Sequence, residues 1–299
     1  MSHRPDLGIV GGGRAGMALA LALTRRGWPV RALSSRDEGR RSAVVSALPG
    51  VSVVADAAEV ARVADLVLLA VPDDAIAVVA SGLSARPDTV VAHLSGVHPA
   101  DVLRAAVPPG VAVGALHPLV AFADVSRAAE ALDGGFVVID GDPPAVAALR
   151  QVAEALGSRP VVLSGSGAGT STAKAAHHAA AVLAAGGFVA LLDTIAELAR
   201  VAGLDEATAV EVYGSLVRQG LVNAAALGVE DALTGPVPRG DVGTLLAHLE
   251  AIDAVTPDVR EPYLALARRQ LAIARRRGVP APAAAAELRR VLGTDSELH

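Results

Sequence analysis

Gly8-Ile9-Val10-Gly11-Gly12-Gly13-Arg14-Ala15-Gly16 decides how the chain begins to fold. Leu7 to Val10 is a short apolar run that ends in glycine, and Arg14 to Arg26 follows with Met17, Ala20, Leu21 and Leu23 on one apolar face. The pattern is a strand, a tight turn and a helix. Gly11, Gly13 and Gly16 have the spacing G-x-G-x-x-G. Gly11 permits the turn, Gly13 leaves room for a pyrophosphate against the backbone, and Gly16 lets the helix lie close to the sheet. The backbone from Gly13 through Arg14 and Ala15 to Gly16 then offers free N–H groups at a positive helix end. Placed after the first strand and opening a helix, the motif predicts a dinucleotide site.

Further along, strands are expected at Val30–Leu33, Val51–Val54, Asp65–Val71, Thr89–Leu94, Val111–Leu116, Phe136–Ile139 and Pro160–Leu163, with helical stretches between them. Continuous apolar strands of this kind belong in a mainly parallel sheet covered on both faces, with ligands at the C-terminal strand ends. The second strand ends in Ser34-Ser35-Arg36, where a site for unphosphorylated ribose usually has a carboxylate. Two hydroxyls and a guanidinium suit a 2′-phosphate, so NADP is the expected cofactor, with Arg14 adding charge nearby. The alternative is that Arg36 is an ordinary solvent-facing loop residue. Val71-Pro72 is expected to touch the cofactor through its backbone, and Asp73 to cap the next helix.

The pattern changes at Ser164-Gly165-Ser166-Gly167-Ala168-Gly169-Thr170, a Gly/Ser linker. Beyond it only helices are expected: 171–202, 206–227, 242–252, 257–277 and 281–292. The fold class is therefore α/β, with a dinucleotide-binding domain at 1–164 and an all-helical domain at 165–299 for substrate and dimerisation.

Composition excludes several functions. The net charge is −5 and no basic stripe runs along the chain, which argues against a nucleic-acid partner. There is no cysteine, so disulfides, thiol catalysis and cysteine metal sites are excluded. The start, Met1 to Asp6, does not have the form of a signal peptide, and the apolar stretch Ala179–Leu192 is short and interrupted by Gly186-Gly187. A cytoplasmic protein free of the membrane is expected.

The 26 basic residues include one lysine, Lys174. It lies in Lys174-Ala175-Ala176-His177-His178, where both histidines fall on its side of the helix. Arginine stays charged, whereas a desolvated lysine can lose its proton, so a proton-transfer role accounts for lysine here. The bland alternative is a seam residue of no special function. His177 and His178 point about 100° apart around the helix, which argues against a shared metal ion. Ser95-Gly96 and His117-Pro118 follow the fifth and sixth strands and can bond a substrate oxygen, or each other. His117 can equally be a buried histidine bonded to backbone. In the loop Thr234–Asp241, Arg239 either clamps a substrate carboxylate or pairs with Asp241 and shapes the turn, and Asp241, grouped with it at the substrate side, is a candidate cap for the helix from Val242.

On Gly11–Gly16, Val71-Pro72-Asp73, Leu94-Ser95-Gly96, His117-Pro118-Leu119, Lys174–His178 and Leu233–Asp241, the chain resembles the Rossmann-like oxidoreductases whose helical C-terminal domain is of the 6-phosphogluconate dehydrogenase type. Within these it is similar to a bacterial branch with a C-terminal domain of unknown function. In β-hydroxyacid dehydrogenases and ketopantoate reductases a Gly-rich turn precedes a catalytic Lys, with a substrate-binding Asn four residues on. Here Gly167-Ala168-Gly169 precedes Lys174, and His178 stands in place of the Asn. Ser95 and His117 are similar to the Ser and His of prephenate dehydrogenases. The resemblance implies NADP-dependent reduction of a small 2-oxo acid, ketopantoate-like, or the reverse oxidation of a hydroxy acid. Lys174 is then acid or base, His177 and His178 position the substrate, and Ser95 and His117 sit on the reacting oxygen. The alternatives are an imine reductase of the pyrroline-carboxylate type and a non-catalytic NADP-binding sensor or scaffold. A homodimer is expected.

Overall fold

The computed structural model describes residues 4–163 and 171–294. The Gly/Ser linker, including Gly167-Ala168-Gly169, lies outside the described residues. The chain divides into two compact units, Met1–Ala185 and Gly186–His299.

The first unit is built on eight strands: β1 (Leu7–Val10), β2 (Val30–Ser34), β3 (Ser52–Val54), β4 (Leu66–Leu69), β5 (Val90–His93), β6 (Ala112–Pro118), β7 (Phe136–Gly141) and β8 (Arg159–Val162). They form one sheet in the order β3-β2-β1-β4-β5-β6-β7-β8. All neighbours are parallel except β6 and β7, which run antiparallel with Ala115 opposite Asp140. The chain reverses its winding direction between β1 and β4, and that switch point opens a crevice at the C-terminal strand ends.

Helices α1 (Arg14–Arg25), α2 (Glu38–Ala47), α3 (Ala57–Val63), α4 (Ile76–Ser81), α5 (Val125–Ala131), α6 (Pro143–Ala155) and α7 (Ser171–Val182) complete this unit. Leu7, Ile9, Leu66 and Leu68 pack into one layer with Leu19 and Leu23 of α1 and Leu149 and Val152 of α6. The alternate residues Val10, Val67 and Leu69 enter the opposite layer with Val60 of α3 and Ile76 of α4. Burial on both faces is why these strands are apolar at every position.

The boundary expected at 164/165 falls later, at Ala185/Gly186. Helix α7 turns its Lys174–His178 face toward the sheet and so joins the first unit. A π-helical turn, Leu183–Gly187, carries α7 into α8 (Phe188–Val201). The resulting run Ser171–Val201, 31 residues with an 18-residue window of mean hydropathy 1.9, is long and apolar enough to cross a membrane by length and composition. The run matches the helix expected over 171–202, and the apolar stretch Ala179–Leu192 is its central part.

The second unit contains α8, α9 (Glu206–Ala232), α10 (Pro236–Arg239), α11 (Val242–Val255), α12 (Arg260–Arg276) and α13 (Pro282–Leu292). Leu245, Leu249, Leu264, Leu271, Leu288 and Leu292 form its main core. The segment expected to be a loop, Thr234–Asp241, contains the short helix α10, flanked by Gly235 and Gly240 at positive φ. Helix α9 runs past its expected end at Leu227, across a kink at Gly228.

Candidate active site

The glycine turn has the geometry its spacing predicts. Gly11 has φ +118°, and a β-carbon there would collide with Ala70 O. One on Gly16 would collide with Gly11 O, whereas Gly13 faces open space. Gly12, outside the motif count, is also constrained, because a β-carbon would lie 2.9 Å from Ser35 Cβ. The turn is held to β2 by Gly11 N–H donating to Ser34 O at 2.9 Å.

Beside it lies a cavity of about 630 Å³. Gly11, Gly13, Ser34, Ser35, Arg36, Val71 and Pro72 line it, as expected from the sequence. Arg14 and Ala15 are not among the lining residues, and the Arg14 guanidinium donates to Ala123 O at 3.3 Å.

Sequence reasoning missed four contributors here. Arg40 lines the cavity with Arg36. Arg41 donates to Ser35 O at 2.8 Å and Arg36 O at 2.9 Å, bracing the loop that presents Arg36. Asp37 and Asp56 also line the cavity, yet each carboxylate is engaged as a helix cap, accepting from Arg40 N–H and Ala58 N–H. The signal for Arg40 and Arg41 was the helix itself: they lie in the first turns of α2, directly behind the ribose loop.

A second group of side chains gathers where β5 and β6 end and α7 covers the sheet. Lys174 is fully buried, while its neighbours Ala175 and Ala176 are exposed. The helix thus inverts ordinary amphipathicity, with its charge inside and its methyls outside. Among the described residues, Lys174 Nζ and His178 Nδ1 are buried without a hydrogen-bond partner. Burial drives the Lys174 ammonium below the usual lysine range, with Asp140 opposing the shift.

His117 Nδ1 lies 3.1 Å from His177 Nε2, the rings edge-to-face with centroids 5.3 Å apart. The His178 ring is 5.5 Å from His117 on another side. Burial, followed by the charges of His177, Lys174 and His178, pushes the His117 imidazole down to about 4, against a smaller opposing pull from Asp73. His177 is lowered too, by burial and by Lys174 and His178.

Gly96 closes this group. A β-carbon at position 96 would collide with His178 Nδ1 and stand 2.7 Å from both Cε1 and Nε2 of His117. Ser95, by contrast, is turned to its own loop, its Oγ accepting from Val97 N–H at 3.2 Å and His98 N–H at 3.1 Å. Such a turn role is common for serine.

His93, which the sequence placed only within a strand, is fully buried and satisfied. Its Nδ1 accepts from Ser95 N–H at 3.1 Å, and its Nε2 lies 3.2 Å from Pro99 O. That pairing makes it the neutral Nε2–H tautomer. Burial first of all pushes it down to about 4.

Arg239 and Asp241 lie in the second unit. Asp241 caps α11, accepting from Thr244 N–H at 3.0 Å and from its hydroxyl at 2.7 Å, and Arg239 is an exposed residue of α10. Among the described residues no three metal-ligating side chains form a candidate ion site.

A family model described as a Rossmann-like domain matches residues 1–118, and one described as a domain of unknown function, DUF2520, matches residues 136–270. Comparison with curated proteins returns no match. Among solved structures, the chain is similar to a Bacteroides fragilis protein described as an NADP oxidoreductase, at 23% identity and a TM-score of 0.72, covering 89% of this chain and 98% of that one. It is similar to a reductive aminase from Aspergillus terreus in complex with NADPH and ethyl levulinate, at 17% identity and a TM-score of 0.67, covering 97% and 100%. It is also similar to a pyrroline-5-carboxylate reductase from Coxiella burnetii, at 16% identity and a TM-score of 0.58, covering 92% and 98%. The chain thus joins a Rossmann-like domain to a DUF2520 region, in a fold it shares with these proteins.

Proposed function

We propose that the protein is an NADPH-dependent oxidoreductase that reduces a small 2-oxo acid, ketopantoate-like, or oxidises the corresponding hydroxy acid. The observation that carries this reading is the buried, unpartnered amine of Lys174 beside His117 and His178 at the strand ends. Asp73, whose charge acts on His117, directly follows Pro72 of the segment that lines the nucleotide cavity.

The residues present fit the cofactor. Gly11 and Gly16 allow the turn to close, since a β-carbon at either would collide with backbone, and Gly13 faces an open approach where a pyrophosphate fits. Arg36 and Arg40 would hold a 2′-phosphate, and the backbone at Val71-Pro72 would border the nicotinamide half. When bound there, NADPH supplies a hydride.

The protein's own part is proton management. Lys174, its charge disfavoured by burial, gives up a proton readily to an oxygen that becomes negative. His178 Nδ1 and His117 Nε2 converge on Gly96 and hold that oxygen. Lys174→Ala is expected to abolish turnover while leaving the NADPH dissociation constant unchanged. Full activity of this variant on an identified substrate would remove Lys174 from the chemistry.

The likeness to a pyrroline-5-carboxylate reductase favours a second reading, reduction of a cyclic imine. An imine reductase of that type is expected to act on cyclic imines and to be indifferent to Lys174, so the same variant separates the two. We also propose a homodimer with no membrane span. Val189, Leu216, Leu221, Val222 and Leu227 are exposed on α8 and α9, and a second copy covers such a face at little cost in specificity.

A further inference from the structure

We propose that His177 is a positioning residue for His117: its protonation locks His117 into the tautomer that presents Nε2–H toward Gly96 as a donor. The inference rests on the reading of His117 as a group that holds the reacting oxygen, and it assigns His177 a role other than direct substrate binding.

The argument begins with counting hydrogens. Two ring nitrogens face each other at 3.1 Å, and that bond needs one proton between them. If His117 Nδ1 carries it, the neutral ring has Nε2 bare, an acceptor. If His177 Nε2 carries it, His117 Nδ1 is bare and its single proton resides on Nε2. The choice made at the outer ring therefore sets what His117 offers at its inner nitrogen.

Protonation of His177 removes the choice. A cationic imidazole has hydrogen on both nitrogens, so its Nε2 can only donate, and His117 must accept at Nδ1. The order of protonation follows from burial. His117 is held down to about 4 and takes a proton last, whereas the more exposed His177 is the ring of the pair that charges first. Protonating both would set two N–H groups against each other.

The surrounding charges are few. On α7, Lys174 and His178 lower His177, and across the bond His117 is lowered by the same two residues and by His177 itself. Asp73, from the turn after β4, pulls the other way on His117. The switch consequently lies below the ordinary imidazole value. Above it either ring can carry the shared proton, and below it His117 accepts at Nδ1 and its Nε2 can only donate. A donor aimed at Gly96 suits an oxygen that gains negative charge, as in the reducing direction.

The test needs no substrate. Long-range ¹H–¹⁵N spectra of the histidine-labelled full chain, recorded from pH 8 to pH 5, report which nitrogen of each ring is protonated. In the wild type, His117 is expected to become purely the Nε2–H tautomer as His177 titrates. In His177→Phe that change is lost, and His117 no longer follows pH over this range. His177→Gln, which carries no titrating proton, makes the His117 tautomer independent of pH over this range. NADPH binding, at a cavity that does not include His177, serves as the control for folding. A His117 that carries its proton on Nδ1 once His177 is charged, or that behaves identically in His177→Phe, overturns the proposal. If the tautomer behaves as stated but neither 2-oxo acids nor hydroxy acids are turned over, the positioning role stands and the substrate reading fails.

Discussion

Gly96 lies so close to His178 that no side chain can occupy the position without displacing the His178 ring, and a β-carbon there would also stand 2.7 Å from His117. The Ser95-Gly96 pair suggested serine as its chemical member. In the folded chain the glycine matters more, because it lets two imidazoles converge. Gly96→Ala is expected to cost about 1–3 kcal/mol of stability through overpacking. It should also lower kcat/KM by more than tenfold, on the order of what a misplaced catalytic hydrogen bond costs. Steady-state kinetics beside an NADPH titration check this, since the cavity at Gly11–Gly13 is untouched and its affinity should not move.

Lys174 illustrates a conflict between stability and activity. Its amine is fully buried and, among the described residues, unpartnered, a condition that costs about 1–3 kcal/mol. Lys174→Met keeps the length of the side chain and removes the polar atom. The thermal midpoint of this variant is expected to rise by a few degrees, as roughly 1 kcal/mol does in a chain of this size. Activity should be lost, and calorimetry with a turnover assay measures both. A variant that is less stable than the wild type would show that the amine has a partner in the folded chain.

His93 predicts how stability depends on pH. Its folded value is depressed to about 4 from an ordinary 6.5, so the unfolded chain takes up the proton first. The neutral ring therefore stabilises the fold fully above about pH 6.5, and that contribution is lost as pH falls toward 4. The loss amounts to roughly 3 kcal/mol for this residue. His117 adds to the loss in the same direction. Urea unfolding at pH 7 and pH 4.5 measures the difference. In His93→Leu the pH dependence should flatten, while stability at pH 7 falls by about 1–3 kcal/mol because Ser95 N–H and Pro99 C=O lose their partner.

The ribose loop makes a prediction about cofactor choice. Arg36 and Arg40 line the cavity, and Arg41 holds the loop by bonding Ser35 O and Arg36 O. Arg36→Ala is expected to weaken NADPH by on the order of tenfold and NADH by less than about twofold, since only the former carries the 2′-phosphate. Arg41→Ala should weaken both, because it loosens the loop rather than removing a phosphate ligand. Fluorescence titrations of the two nucleotides distinguish these outcomes, and equal effects of Arg36→Ala on both would end the case for NADP.

The exposed side chains of α8 and α9 predict association. A chain covering Leu216, Leu221 and Val222 with a second copy should elute as a dimer, and Leu221→Glu with Val222→Lys should shift it toward monomer. Light scattering across a dilution series measures this directly.

Much of the fold was legible because one signal repeats. Each strand of the first unit is a short apolar run, and all eight fall within a few residues of their expected positions. The antiparallel turn of β7 was not visible, because apolar strands such as Phe136–Ile139 look alike in either direction. At the site, the spacing of Gly11, Gly13 and Gly16 pointed to the turn beside the cavity, and the lysine count pointed to a side chain that the fold buries. The sequence did not reveal that Ser95 is consumed by its own loop, that His93 is a satisfied structural histidine, or that Gly12 and Gly96 are sterically obligatory. Each of these depends on which atoms meet after folding, and composition around them is silent on that. The long helix expected over 171–202 is present as Ser171–Val201, and what the sequence did not show is its π-helical turn. Alanine and glycine in Ala184-Ala185-Gly186-Gly187 weaken the helix signal, yet the chain passes through them in a wider turn.

The inverted face of α7 has one more consequence. With arginine supplying nearly every positive charge, the protein has a single side-chain amine, and that amine is enclosed. Acylating reagents, which ignore guanidinium, will find the amino terminus and little else while the chain is folded. The rate at which an acyl label appears on the peptide that carries this one nitrogen is therefore a private clock for the opening of its chamber.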